Sequence, residues 1–170
     1  MDDLSPRDFR RAMRNLCSPV AVVTSSHEGR PHGTTVGAFT PFSWEPPAVA
    51  VMLGAASATL ARAKTTRLLG INILAWDHAC LAADFAGATA DRFRRARWYE
   101  RVGLPQLHGV AGWLRGELLH SFALGDHEAL FLRGREAQTY PVPPLLYHGK
   151  KFGTHLGLPP GGTRTREETP

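Results

Sequence analysis

The segment PHGTTVGAFTPFSWEPP, residues 31–47, interrupts a region of the chain that otherwise has the pattern of ordinary β-strand. Gly33 and Gly37 allow another molecule to approach the backbone closely, and Thr34, Thr35 and Thr40 place hydroxyl groups beside backbone N–H groups. Such a strand could bind the edge of a flat heteroaromatic ring with alternating donors and acceptors. An edge strand whose threonines serve β-propensity alone would have the same residues, and the segment by itself leaves both interpretations open.

The sequence on either side of this segment predicts short strands. PVAVVTS (19–25) is rich in β-branched residues, HEGRP (27–31) is typical of a turn, and residues 32–40 continue as a second strand, so we expect a hairpin over 19–40. AVAVML (48–53) and LLGINILA (68–75) are apolar runs of strand length. Later strands are predicted near 111–123, at 127–138 and in LLYHG (145–149).

Three short helices are predicted among these strands. PRDFRRAMRNL (6–16) has Ser5 as the N-cap of a capping box, SATLARAKTT begins at Ser57, and DHACLAADFAG begins at Asp77. The stretch 88–104 has an irregular, basic pattern. Short strands dominate and no β–α–β alternation is present, so the fold class is mainly β: an antiparallel barrel with short helices packed outside it.

Length and composition describe an ordinary globular chain with excess positive charge. The 170 residues predict one domain, at 1–156, followed by a tail at 157–170 with too little apolar content to fold. The net charge is +5, but the one dense basic run, DRFRRARWYER (91–101), accompanies no nucleic-acid-binding signature. A basic surface suits anionic small molecules equally well, and phosphorylated cofactors are the obvious class. No apolar run is long enough for a membrane and the N-terminus is too charged for a signal peptide, so we expect a cytoplasmic protein that binds neither membrane nor nucleic acid.

Two further segments carry residue types that could bind an anionic ligand. In GAASATL (54–60), the hydroxyls of Ser57 and Thr59 and the first free N–H groups of a helix converge on one point suited to a phosphate. Plain helix capping explains the same serine and stays open. In PLLYHGKKFG (144–153), aromatic and cationic side chains could stack on and neutralise a nucleotide, or merely end a strand.

Histidine is the remaining candidate for chemistry. His127 follows a Gly-Asp pair at the start of a strand, where its side chain would be exposed at a barrel mouth; a structural or surface role also remains open. The eight histidines lack the spacing of zinc signatures and no cysteine pair supports them, so we predict no metal site. The sequence contains no Rossmann GxGxxG, so a nicotinamide nucleotide would need another mode of binding.

Taken together, these segments resemble the flavin reductase family with the FMN-binding split-barrel fold, the small reductase component of two-component flavin monooxygenases. The resemblance runs from Phe9 to Phe152. FRRAMRNLCSPVAVVTS is similar to the family's opening helix and first strand, HGTTVGAFTPFSWEPP to its flavin-binding strand, and SATL to its phosphate-holding Ser-x-Thr. GINILAWDHACLAADFAG is similar to the next strand and helix, and GDH and PLLYHGKKFG to the late motifs. The resemblance implies a homodimeric, antiparallel Greek-key split barrel.

The resemblance also implies a set of site residues. FMN or FAD would be bound by Thr34, Thr35, Val36, Gly37, Ala38, Thr40, Leu53, Ser57, Ala58, Thr59, Phe85 and Ala86, with the phosphate at Ser57 and Thr59. NADH or NADPH would be received by His127, Tyr147, His148, Lys150 and Phe152. His127 is the catalytic candidate, with the role of orienting the nicotinamide nucleotide rather than of an acid or base.

The implied function is that of an NAD(P)H:flavin oxidoreductase supplying reduced flavin, by diffusion, to a partner flavin-dependent monooxygenase in secondary or aromatic metabolism. Three positions depart from the family pattern: Gly37 stands where Asn is common, Pro41 replaces a common Ser, and His78 a common Gln. Loss of the Asn favours an alternative, a co-opted split-barrel flavin-binding protein of a biosynthetic pathway without free reductase activity. Retention of Ser57, Thr59 and His127 favours the reductase.

Overall fold

The structure, a computed structural model, describes residues 4–87 and 92–155. The helices in these ranges are α1 Pro6–Met13, α2 Ala58–Thr66, α3 Ala79–Ala86 and α4 Arg92–Arg95. The strands are β1 Ser18–Pro19, β2 Ala21–His27, β3 Arg30–Val36, β4 Phe39–Trp44, β5 Pro47–Gly54, β6 Leu68–Ile73, β7 Trp98–Arg101, β8 Leu104–Leu107, β9 Gly112–Leu124, β10 His127–Thr139, β11 Leu145–His148 and β12 Lys151–Thr154. None of these helices is long and apolar enough to span a membrane.

Seven antiparallel strands form one sheet that closes on itself. Their order is β3-β2-β6-β9-β10-β5-β4, so β3 and β4 lie at opposite edges although only Gly37 and Ala38 separate them in the chain. The three peptide units from Val36 to Phe39 span at most about 11 Å, which requires the two edges to meet. The backbone N–H of Met52 in β5 donates to the Ala38 carbonyl at 2.9 Å, which extends the pairing of β4 with β5 to this junction. We call this junction, Gly37–Ala38 with Met52, the barrel seam; the predicted antiparallel barrel is confirmed.

Two hydrophobic clusters occupy the two faces of the sheet. Val22 and Val23 are neighbours in β2 and both are fully buried, but they belong to different clusters because successive strand side chains point to opposite faces. The cluster that contains Val23 also receives Leu60 of α2. The cluster that contains Val22 includes Phe85 of α3. The core therefore holds α2 and α3 against opposite faces of the sheet.

Several predicted boundaries need correction. The strand predicted over 32–40 is wrong: β3 ends at Val36 and β4 begins at Phe39 on the other edge of the sheet, because the chain turns at the seam. Ser5 is confirmed as the N-cap, since its hydroxyl accepts from the Asp8 N–H at 3.1 Å, while the Asp8 carboxylate accepts from the Ser5 hydroxyl at 2.7 Å instead of from the Ser5 backbone N–H. However, α1 ends at Met13, before the predicted end at residue 16, and no residue of this helix is buried in the described part of the chain.

The later segments also differ in part from the predictions. Helix α3 begins after His78 rather than after Asp77. The stretch predicted as irregular, 88–104, contains α4 and β7, although residues 88–91 lie outside the described residues. A final strand, β12, pairs with β11 and was not predicted. The tail predicted to be disordered, 157–170, also lies outside the described residues.

Candidate functional site

A groove of about 300 Å³ opens at the barrel seam. It is formed where β3 and β5 end, where α2 begins and where β10 begins. We call it the seam groove; its lining residues are Thr34, Thr35, Val36, Gly37, Ala38, Met52, Leu53, Gly54, Ser57 and His127. The structure thus brings together most of the residues predicted for the flavin and the one predicted as catalytic.

Two glycines keep the seam groove open. A Cβ at Gly54 would meet no atom within 4 Å, and a Cβ at Gly37 would lie 3.6 Å from Ser18 Cβ, an ordinary contact. Since β3 is an edge strand of the sheet, part of its backbone N–H and C=O groups have no strand partner. A planar ring can therefore lie against exposed backbone here, and the residues present fit the isoalloxazine of a flavin.

The side chains of β3 differ in what they contact along this edge. The Thr35 hydroxyl donates to the Ala82 carbonyl of α3 at 2.7 Å, so it anchors the strand instead of facing a ligand. Val36 is 7% exposed and packs in the barrel core. These two residues can offer backbone groups to a ligand, while the partly buried Thr34 also borders a second cavity.

The second cavity continues the seam groove beyond Thr34 and Ser57, which line both. Its volume is about 410 Å³. We call it the second lobe; its lining residues are Pro31, His32, Gly33, Thr34, Ala56, Ser57, Ala58, Thr59, Arg92 and Phe93. Ser57 therefore lies between the seam groove and the second lobe, and we call these two adjoining cavities together the trough.

Ser57 is available to a ligand. It takes the N-cap position of α2, yet among the described residues its hydroxyl makes no capping hydrogen bond. The first N–H groups of a helix have no partner within the helix and carry partial positive charge. This geometry suits an anion better than the plain-capping interpretation of the same serine.

The second lobe is electropositive. Burial, and after it the nearby charge of Arg62, lowers the pKa of His32, and Arg30 acts in the same direction. Arg92 lies in the wall, where its guanidinium donates to the Gly33 carbonyl at 2.8 Å. A phosphate in the lobe would be attracted by these positive charges.

His127 lines the seam groove and does not border the second lobe. It is the first residue of β10 and pairs with Gly54 of β5. Its Nδ1 lies 2.8 Å from the Asp126 carboxylate, an interaction that lowers the pKa of Asp126. With Nδ1 donating to this carboxylate, the ring is oriented and Nε2 is left for a ligand.

Three predicted flavin residues do not reach the trough. Phe85 is fully buried behind β3, where a Cβ at Gly33 would lie 3.1 Å from its ring. Ala86 follows it at the end of α3, and Thr40 is exposed on β4 with its hydroxyl directed to the Pro41 carbonyl. Phe85 therefore supports β3 from behind.

Of the residues predicted for the nicotinamide, only His127 lines the seam groove; the other four lie on β11, β12 and the turn between them, outside its lining. Tyr147 and Phe152 face each other across the β11–β12 hairpin, with ring centroids 5.3 Å apart, and His148 and Lys150 are exposed near its turn. Tyr147 pairs with Ser18 of β1, the residue that neighbours Gly37. The hairpin is thus held against the seam through β1.

Sequence reasoning missed several lining residues. His32 lies inside the segment PHGTTVGAFTPFSWEPP, but no pattern around it distinguishes it from a surface histidine. Arg92 and Phe93 belong to the basic run, whose pattern is that of a solvated helix face. Met52 and Gly54 flank a predicted residue, Leu53, and only the position of β5 at the seam distinguishes them.

Comparison with known proteins agrees with this geometry. Residues 13–155 match the profile of the flavin reductase like domain. The chain belongs to this family. The resemblance drawn from the motifs is therefore confirmed, and the fold is the split barrel of flavin reductases.

The similarity to individual relatives extends over most of the chain. The reductase component of 4-nitrophenol 4-monooxygenase/4-nitrocatechol 2-monooxygenase from Rhodococcus opacus is 32% identical over 153 residues, which cover 90% of this chain and 83% of that one. An NADH-dependent flavin reductase from Rhodococcus sp is 34% identical, with 88% and 86% covered. Among solved structures, the styrene monooxygenase flavin reductase from Pseudomonas putida S12 has a TM-score of 0.82 at 26% identity, with 89% of this chain and 99% of that one covered.

Proposed function

We propose that this protein is a cytoplasmic NAD(P)H:flavin oxidoreductase that supplies reduced FMN or FAD to a partner flavin-dependent monooxygenase. The observation that carries the proposal is the trough itself, which joins open edge-strand backbone, a free N-cap hydroxyl at Ser57, an electropositive lobe and His127. Membership of the flavin reductase family, and relatives named as reductases and as reductase components of monooxygenases, support it.

In the arrangement we propose, the isoalloxazine lies in the seam groove against the backbone of residues 34–38. The phosphate lies in the second lobe, where Ser57, Thr59 and the N-terminus of α2 hold it and the Arg92 guanidinium adds positive potential. Both cavities are open to solvent, so a flavin can enter and leave, as a diffusible product requires.

The residues of the protein would bind the flavin and the nicotinamide nucleotide, orient their rings and stabilise the reduced flavin. When bound, the flavin accepts at N5 a hydride from C4 of the nicotinamide. Backbone N–H groups at the β3 edge stabilise the negative charge that this reduction places on the pyrimidine edge. His127, held by Asp126, orients the nicotinamide nucleotide, and Tyr147, His148, Lys150 and Phe152 receive the rest of it, which favours a productive approach of the two rings.

The homodimer is also part of this proposal. Large apolar side chains are exposed on the outer face of β4 and of the β9–β10 hairpin: Phe42, Phe122 and Leu124. Phe42 packs edge-on against Phe131 of β10 at 4.9 Å, which joins the strands into one apolar surface. We call this surface the outer-face patch, and a second copy of the chain would cover it.

The alternative, a flavin-binding protein without free reductase activity, rests on Gly37. A Cβ there would make only ordinary contacts, so packing does not forbid the Asn that is common in the family. The absence of an Asn at this position is thus a difference between this site and the common family pattern, and steric exclusion does not explain it. The reductase is favoured because His127 and Ser57 still line the same groove.

Ser57→Ala tests the phosphate end of the site. Loss of one hydrogen bond to a charged phosphate, worth about 1.5–3 kcal/mol, should weaken flavin binding by about tenfold or more, measured by quenching of flavin fluorescence. Thr65→Ala is the matched control, since this hydroxyl bonds to the Ala61 carbonyl at the far end of α2 and faces no ligand. Equal flavin affinity of Ser57→Ala and the unmodified protein would contradict the proposed site.

A further inference from the structure

The second lobe of the trough is larger than a flavin phosphate needs. Its volume is about 410 Å³, whereas a protein cavity of about 150 Å³ already accommodates benzene, which is larger than a phosphate. Thr34 and Ser57 mark the end of the lobe nearest the seam groove, since both line the two cavities. From Thr34 the lobe follows the edge of β3 to Pro31, which is about 10 Å of strand. The lobe therefore continues well beyond a phosphate held at Ser57.

A positive group lies next along this edge. Gly33 follows Thr34 in the direction away from the seam, and its carbonyl accepts from the Arg92 guanidinium at 2.8 Å. Arg92 thereby places a permanent positive charge in the wall of the lobe, beyond the N-terminus of α2. A second phosphate, joined to the one at Ser57, would extend toward this charge.

A phenyl ring forms the wall on one side of the β3 edge. A Cβ at Gly33 would lie 3.2 Å from Phe93 Cζ, so the ring packs close to the strand. Edge-to-face contacts with Phe85 and Trp98, at centroid distances of 5.0 and 5.5 Å, hold the ring in place. Nucleic-acid bases stack readily on aromatic side chains that are fixed in this way.

An uncharged imidazole lies on the other face of β3. His32 and Gly33 are neighbours in the strand, so the His32 side chain points away from the side on which Phe93 packs. Burial lowers the pKa of His32, and the nearby charge of Arg62 lowers it further, so the ring is neutral at neutral pH. A neutral imidazole both donates and accepts hydrogen bonds. It suits the edge of a purine better than another phosphate.

We propose that the second lobe binds the adenosine monophosphate half of FAD, so that FAD is the preferred flavin. The second phosphate lies near Arg92, and the adenine packs in the outer part of the lobe, where Phe93 and His32 form the walls. This inference rests on the flavin site of the proposed function and adds the choice between FMN and FAD. The nicotinamide nucleotide also contains an adenosine phosphate, and the test distinguishes these two sources.

The test is isothermal titration of the full chain with riboflavin, FMN and FAD, without a nicotinamide nucleotide. FMN should bind more tightly than riboflavin because it adds the phosphate. FAD should bind at least about fivefold more tightly than FMN, which is the smaller effect expected from stacking one base on an aromatic ring. FMN affinity equal to or greater than FAD affinity would overturn the proposal.

Two variants locate the adenine. Phe93→Leu keeps apolar bulk against Phe85 and Trp98 but removes the aromatic ring, and His32→Ala leaves that packing intact. Each should lower FAD affinity toward that of FMN and change FMN affinity by less than about twofold. His120→Ala, exposed and outside the trough, is the control and should keep the original preference for FAD.

Ser57→Ala separates this inference from the proposed function. It should weaken FMN and FAD by the same factor, because both flavins place a phosphate at Ser57, and should leave their ratio unchanged. Weaker binding of both flavins without a preference for FAD would contradict the inference alone, whereas unchanged binding of both would contradict the flavin site itself.

The steady-state KM for NADH provides the second arm of the test. We expect Phe93→Leu and His32→Ala to leave this constant unchanged at saturating FAD. A raised KM for NADH together with unaltered FAD affinity would assign the lobe to the adenosine phosphate of the nicotinamide nucleotide and overturn the proposal.

Discussion

At the residue scale, replacing His127 is expected to affect the use of the nicotinamide nucleotide more than the binding of flavin. It is oriented by Asp126 at the mouth of the seam groove, so His127→Ala removes one orienting contact, worth about 1 kcal/mol or somewhat more. We expect kcat/KM for NADH to fall about tenfold while the flavin dissociation constant changes less than about threefold. Steady-state kinetics with separate flavin titration distinguishes these constants.

His120→Ala is the matched control for His127. This histidine is exposed on the same β9–β10 hairpin, opposite Phe131, and lies outside the trough. Its replacement should leave both constants unchanged. If His127→Ala behaves like the control, the nicotinamide role of His127 is wrong.

At Gly37, by contrast, we expect a substitution to strengthen flavin binding. Gly37→Asn adds a side chain that makes only ordinary contacts at its Cβ and places an amide beside the groove. We expect flavin binding to tighten by about threefold to tenfold, which is the effect of one added hydrogen bond. Gly37→Ala adds the Cβ without the amide and should give no gain; weaker binding by Gly37→Asn would show that the glycine itself is required.

Residue types alone predicted many of the residues that line the trough, but not the residues that pack behind it or those that form the second lobe. Ser57 and His127 were found because helix N-caps and strand starts are local features of a sequence. Phe85 was placed on the flavin, and its burial behind Gly33 depends on the packing of α3, which no local pattern reveals. His32 and Arg92 were missed for the same reason, since residues distant in the chain create the lobe between them.

At the element scale, one ion pair fixes α2 relative to β10. Lys64 Nζ lies 2.7 Å from Glu128 Oε2, and the Glu128 side chain is 8% exposed. Lys64 shares its helix with Ser57, and Glu128 follows His127. The pair therefore links the helix that follows Ser57 to the strand that begins at His127.

The pH dependence of stability tests this ion pair. The hydrogen bond from Lys64 and a second from Ser121 lower the pKa of Glu128 below its ordinary value of 4.5. Its contribution to stability is therefore fully present above about pH 4.5 and is lost as the pH falls through the lower folded pKa. Glu128→Gln should unfold at a lower temperature than the unmodified protein at pH 7, and this difference should shrink on acidification.

Thermal unfolding between pH 7 and pH 3 measures the effect. Glu100→Gln, at an exposed position on β7, is the control and should match the unmodified protein throughout. A difference between Glu128→Gln and the unmodified protein that is independent of pH would contradict the assignment.

Elements were predictable where a local pattern defines them. The apolar runs of β2, β5 and β6 and the two long strands β9 and β10 were found from alternation and β-branched residues. The break between β3 and β4 was not, because it depends on the order of strands across the whole sheet. Helix α1 was predicted too long since its apolar stripe, with Phe9 and Met13, has no cover within the described chain.

At the scale of the whole molecule, the outer-face patch predicts a dimer. Phe42 is 63% exposed and Leu124 is 74% exposed, although both are large apolar side chains. Stable interfaces bury about 800 Å² per partner, and the double variant Phe42→Ser/Phe122→Ser removes the centre of the patch. Light scattering should give the mass of a dimer for the unmodified protein and of a monomer for this variant.

Val102→Ser is the control for the dimer. It lies half-exposed at the β7–β8 turn, on a different sheet from the patch, and should remain dimeric. An unmodified protein that is monomeric at micromolar concentration would refute the assembly.

The central claim is that the trough at the barrel seam reduces a diffusible flavin. Its most direct test is NADH and NADPH oxidation by the purified full chain, followed at 340 nm, with FMN, FAD or no flavin added. We predict rapid oxidation that depends on added flavin and falls in Ser57→Ala and His127→Ala. A folded protein that binds flavin but oxidises neither nicotinamide nucleotide with either flavin would contradict the reductase and favour a flavin-binding role without free reductase activity.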